Sequence, residues 1–110
     1  MRYFLLTLFL LAISTVSAQK VFDTHVESRA DVKVFIVHVE SRADLIVYTT
    51  NVASRAGKNN GIWHFVDVES RADKKVCFVN TESRADLKVF FTNTQSRAGW
   101  RNNSKKHLME

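Results

Sequence analysis

The chain has 110 residues, of which 45% are hydrophobic and 25% charged, with 16 Lys+Arg against 11 Asp+Glu, three Gly, no Pro and one Cys. That length accommodates one domain, and this mixture of apolar and charged residues excludes wholesale disorder. A single Cys excludes a disulfide framework within one chain.

The first element is a targeting segment. Met1 and Arg2 give a positive start, Tyr3 to Ile13 is apolar except for Thr7, and small residues follow as far as Ala18. This charged, apolar, small-residue order reads as a secretory signal over residues 1–18, cut after Ala18. The apolar run is well short of the roughly 20 residues that cross a bilayer, so no membrane span is expected in the mature chain. The expected location is secreted or periplasmic. Without Arg2 the chain retains 15 basic and 11 acidic residues. Three of those basic residues, Arg101, Lys105 and Lys106, lie in residues 101–110. That stretch reads as a basic, flexible tail able to meet an anionic surface. Export argues against nucleic acid as a partner.

Between signal and tail, residues 19–100 are built by repetition. Ser-Arg-Ala recurs at Ser28, Ser41, Ser54, Ser70, Ser83 and Ser96, with spacings of 13, 13, 16, 13 and 13 residues. The residue after each copy is Asp31, Asp44, Gly57, Asp73, Asp86 and Gly99, so the chain divides into two halves of three units. The extra residues fall in the polar link Lys58-Asn59-Asn60-Gly61. Before each Ser runs a β-branched and aromatic stretch, such as Val34 to Val39 or Val76 to Thr81. These read as strands, and their apolar character at successive positions predicts cover on both faces. The first unit departs from the pattern at Asp23 and Thr24, which predicts a frayed or edge strand. Each Ser-Arg-Ala-Asp reads as one helical turn with the Ser as its cap, Asp favouring the positive helix start. Gly57 and Gly99 permit a change of direction where each half ends. A unit this short cannot bury its own apolar face, so several must pack around a shared centre. With no distinct capping unit, the arrangement points to closure with pseudo-two-fold symmetry.

Six units of the form Val-Phe-x-Val-Asp/Asn/His-x-Glu-Ser-x-Ala-Asp-Leu-Lys, with Trp63 opening the fourth and Gly99-Trp100 closing the sixth, resemble the septoil-knot domain family. The resemblance covers Val21 to Trp100. It implies a small, mainly β fold with short helical turns, closed, and with a backbone tied in a seven-crossing torus knot, against the general rule that chains avoid knots. It implies no established activity.

Repetition also sorts the candidate sites. The six Ser suit structural caps better than nucleophiles, because the units do not pair Ser with a nearby His in a fixed way. The repeated Arg29, Arg42, Arg55, Arg71, Arg84 and Arg97 suit ion pairs, or contacts to an anion or partner. His25 and His38 share a position with Asn51, Asp67, Asn80 and Asn93, and no HxH or HExxH spacing occurs, so no metal or cofactor is implied. His64 and Cys77 replace the aromatic held elsewhere by Phe22, Phe35, Tyr48 and Phe90. Lying in consecutive units, they are placed near one another and form the one candidate thiol–imidazole pair. Trp63 and Trp100 are expected in the core or over the seam between halves. The expected role is therefore a durable, protease-resistant binding or structural module for an envelope or extracellular protein or an anionic surface. The alternative is a small thiol-dependent enzyme using Cys77 and His64.

Overall fold

The computed structural model describes residues 18–52 and 59–110. Residues 1–17, which hold most of the expected signal, and Ser54, Arg55 and Gly57 of the third unit lie outside the described residues. The runs of β-branched and aromatic residues form β1 (Gln19–Asp23), β2 (Val32–Ile36), β3 (Leu45–Thr49), β4 (Ile62–Phe65), β5 (Lys74–Phe78) and β6 (Leu87–Phe91), with a short β7 (Gly99–Trp100). Successive side chains alternate in burial: Val32 and Val34 are buried, whereas Lys33 and Phe35 are only half-buried. β1, β2 and β6 are thus covered fully on one face only, not on both as expected, whereas Ile46, Ile62 and Cys77 are buried on the second face of β3, β4 and β5. The outer aromatics and lysine stems lie along the second face instead of being sealed beneath another layer.

Pairing closes the sheet. Six parallel strands follow the order β4-β1-β5-β2-β6-β3, and β3 returns to β4, while β7 lies antiparallel on β3. β1 is an interior strand of this barrel, correcting the expectation of an edge. Its Thr24 continues the pairing, donating N–H to the Val76 carbonyl at 2.8 Å. Each strand slides along its neighbours. β2, for example, gives Val32–Val34 to β5 and Val34–Ile36 to β6. Repeated round a closed sheet, that offset tilts the strands and leaves an interior filled by side chains. Val21, Val32, Val34, Leu45, Val47, Trp63, Val76, Leu87 and Val89 fill it.

Parallel neighbours ordinarily need a crossover of a dozen residues or more. Here residues 37–44 suffice to carry the chain from β2 past β6 to β3, with one 3-10 turn at Glu40–Arg42. Equivalent turns occupy Glu27–Arg29, Glu69–Arg71, Glu82–Arg84 and Gln95–Arg97. The serine stands mid-turn, exposed. The cap position belongs to Val26, Val39, Val68, Thr81 or Thr94, and no side-chain cap hydrogen bond forms. The capping role assigned to Ser28, Ser41, Ser70, Ser83 and Ser96 is therefore corrected. Backbone bonds alone hold the turn, as from Ala43 N–H to the Glu40 carbonyl at 3.1 Å.

The aspartate does more than favour a helix start. Asp31, Asp44, Asp73 and Asp86 each donate N–H to one lysine carbonyl on the neighbouring strand (Lys75, Lys88, Lys20 and Lys33) and accept that lysine's N–H on Oδ2 at 2.9 Å. Each clasp joins one half of the chain to the other. Where the sixth unit carries Gly99 instead, φ is +151° and the chain reverses into antiparallel β7.

Residues 101–110 are not a loose tail. Asn103–Met109 is a 3-10 helix capped by the Asn102 side chain, and Met109 is fully buried in the core. Lys105 Nζ donates to the Asp86 carbonyl, Asn102 Nδ2 to Asp44, and Gln19 Nε2 to the Met109 carbonyl. These partners lie where β6, β3 and β1 begin. The helix therefore covers the end of the barrel from which the parallel strands start, and burial of Met109 contributes about 2 kcal/mol. Basic composition had suggested solvent. The apolar Leu108-Met109 pair is what docks the segment.

Candidate functional site

The opposite end, where the strands finish, is built differently. The inward position at each finish carries Phe65, Asp23, Phe78, Ile36, Phe91 and Thr49 in barrel order, so phenylalanines from the second half alternate with residues from the first. Phe65 and Phe91 set their edges against buried Trp63 with ring centres 5.9 and 6.2 Å away, and Phe78 bridges them at 6.5 and 6.4 Å. This aromatic group closes the mouth over Trp63. Among the described residues, the exposed large hydrophobics are Val26, Ile36, Val39, Val52, Phe65 and Val68. Every one is a strand's last residue or follows within three residues of a strand's end, so all belong to this end of the barrel. Between β2 and β5 a groove of about 430 Å³ opens there, with Ile36, Val39 and Phe78 along it and His38, Arg42 and Glu82 among its polar groups. A smaller one, about 290 Å³, lies by His64, Phe65, Val68 and Arg71.

Arg29, Arg42, Arg71, Arg84 and Arg97 sit on the turns that surround the barrel. Arg29 reaches Glu69 at 2.8 Å and Arg42 reaches Glu82 at 2.9 Å, while Arg84 pairs with Glu27 and Arg97 with Glu40. Each arginine thus reaches the glutamate of the preceding turn in barrel order, alternating between halves. The Glu40 carboxylate, by hydrogen bonding first and charge second, raises the Arg97 guanidinium above its ordinary value, so it stays cationic. Glutamate is replaced by Gln95 in the sixth unit and by Ala53 in the third, so the sequence breaks the chain of pairs there. Four of the candidate arginines are therefore committed to protein carboxylates. Arg71 makes no ion pair among the described residues, and Arg55 lies outside them.

His64 and Cys77 are not brought together. They stand on β4 and β5, with β1 between. His64 Nδ1 lies 2.9 Å from the Thr50 carbonyl, and Cys77 is buried with its thiol directed at the Phe78 carbonyl, 3.9 Å away. Interleaving of the halves is the reason: two units of the same half are never neighbours in this barrel. Among the described residues no cluster of His, Cys, Asp and Glu could hold a metal. Trp63 is core, as expected, and Trp100 pairs with Leu45 at the seam, donating Nε1–H to Asn59 Oδ1 at 2.9 Å.

The signal missed in the sequence was the aspartate, repeated in four units yet without a partner in its own unit. A family model described as 7(1) septoil knot domain matches residues 18–101. The chain belongs to the septoil knot domain family. That match spans the barrel and β7 and stops before the 3-10 helix that closes the strand-start end, so in this septoil knot domain the plug is supplied from beyond the matched residues. No curated protein and no solved structure matches the chain.

Proposed function

We propose that this septoil knot domain is exported and acts outside the cytoplasm as a binding module, using the strand-finish end of the barrel as its interaction face. One observation carries the reading: among the described residues the large apolar side chains left exposed are gathered at that end, whereas the other end is plugged by Met109. Concentrated apolar surface rimmed by polar groups is typical of protein contact sites. The export part rests on the order of residues 1–18. The partner implied is a protein surface with apolar knobs, met by valine and phenylalanine and oriented by His38, Asn80 and the Arg42–Glu82 pair.

The test is capture from the cell envelope with the mature form, comparing it with Val39→Glu and Val68→Glu. Both side chains are exposed, so folding should persist. Loss of the captured partner in both variants, with unchanged circular dichroism, is the expected result. Undiminished capture would refute the assignment of this face.

A further inference from the structure

We infer that the Ala18–Gln19 bond is a processing site closed by the finished fold, so that the leader must leave before the C-terminal 3-10 helix docks. The identity of the cut rests on the export reading above, and its closure rests on geometry. Ala18 is fully buried and Gln19 is 6% exposed. Gln19 already lies in the β1 ladder opposite Trp63, and Lys20 N–H donates to Asp73 Oδ2 at 2.9 Å. The Gln19 amide side chain is held by the Met109 carbonyl, and Met109 itself is core. Susceptibility of a bond to a protease follows from the burial and hydrogen bonding of its backbone. Here the residue after the bond is engaged by β4 on one side and by the plug on the other.

The chemistry is hydrolysis. One water adds to the Ala18 carbonyl and the Ala18 C–N bond breaks. The leader departs with a new carboxylate, and the Gln19 nitrogen takes up a proton to become an amino group. No other reactant is needed. Met109 follows all six repeats in the sequence, so on a chain delivered amino end first the bond stays open until the plug arrives. A chain that completes its fold with the leader attached loses it only through rare opening.

The experiment uses the full chain with its leader and a purified signal peptidase in detergent, with mass spectrometry to read the new amino terminus. Chain diluted from denaturant directly into enzyme should be cut between Ala18 and Gln19. Pre-folded chain should be cut about a hundredfold more slowly, since cleavage then follows the rare open form. Met109→Ala should speed cutting of the pre-folded chain, and Met109→Leu, which preserves volume, should not. In the same full chain the Lys20 amide should exchange as slowly as core amides. Equal cutting of folded and unfolded chain, or a freely exchanging Lys20 amide, overturns the closure alone. Failure of the unfolded chain to be cut at this bond, with Lys20 still protected, overturns the export reading and with it the processing role.

Discussion

Asp44 shows how much one repeated residue can carry. It is buried, exchanges two backbone-directed bonds with Lys88, accepts from Asn102 Nδ2, and offers its carbonyl to the N–H groups of Arg101 and Asn102. Asp31 makes the same clasp with Lys75 in the open, without the further partners. Buried donors left without a charged acceptor cost more than exposed ones, so Asp44→Ala is expected to lose about 3 kcal/mol and Asp31→Ala about 1 kcal/mol in urea unfolding. Gly61 is constrained in another way. Its φ is +87°, and a Cβ there would stand 2.6 Å from the Ile46 carbonyl oxygen and 2.7 Å from Gly99 N, both backbone atoms that cannot step aside. At Gly99 a Cβ meets open space, so only the backbone conformation is penalised. Gly99→Ala should cost about 1–3 kcal/mol, and Gly61→Ala should lower the unfolding midpoint further. At Cys77, burial predicts that a thiol reagent at neutral pH labels the denatured chain at once and the native chain only at the rate of opening.

Among the elements, the strands were legible and the turns only half so. β-branched runs bounded by a fixed motif locate all six barrel strands. The partial exposure of their second face was not legible, because the phenylalanines and tyrosine at the second position are apolar but face outward, half-buried. The turn was legible as a turn, but its serine was misread. Ser, Thr and Asp suit caps wherever they stand in sequence, and only the backbone path shows that Val or Thr precedes the first turn residue here. The C-terminal helix was the clearest reversal. A short stretch with Arg101, Lys105 and Lys106 has the composition of a solvated end, yet two apolar residues facing an open barrel outweigh it. Met109→Ala should therefore cost about 2–5 kcal/mol, a core-sized loss from the penultimate residue of the sequence. By contrast Arg29→Ala, removing an exposed pair with Glu69, should cost under about 1 kcal/mol. Chemical denaturation of the two variants side by side separates a plug from a decoration.

For the molecule as a whole, the controlling fact is that every strand pairing joins one half of the chain to the other. Among the described residues no two strands of one half are neighbours, and the aspartate clasps and arginine–glutamate pairs follow the same alternation. Neither half has a sheet of its own, so residues 18–58 and 59–110 produced separately should each lack β-structure by circular dichroism. Mixed, they should recover the barrel signal and the fluorescence of buried Trp63. Such long-range pairing also predicts slow folding of the intact chain, because loop closure precedes most of the reward. It explains the candidate site as well. Consecutive units of one half land on opposite sides of an intervening strand, which separates His64 from Cys77, and the second half's phenylalanines converge on Trp63 for the same reason.

By itself, the order of residues determined that there are six units, that each holds one strand and one tight turn, that they come in two sets of three, and that they must share one interior. Those follow from local pattern: alternation and β-branching set the strands, and a unit too small to bury itself must find others. Only the tertiary structure decided that the sets interleave, that Asp is a clasp between them, that the basic segment is a plug, and that apolar surface remains at one end. Each of these depends on which unit lies beside which. Near-identical repeats carry almost no information about that choice, because any unit could pair with any other until the closed barrel selects one order.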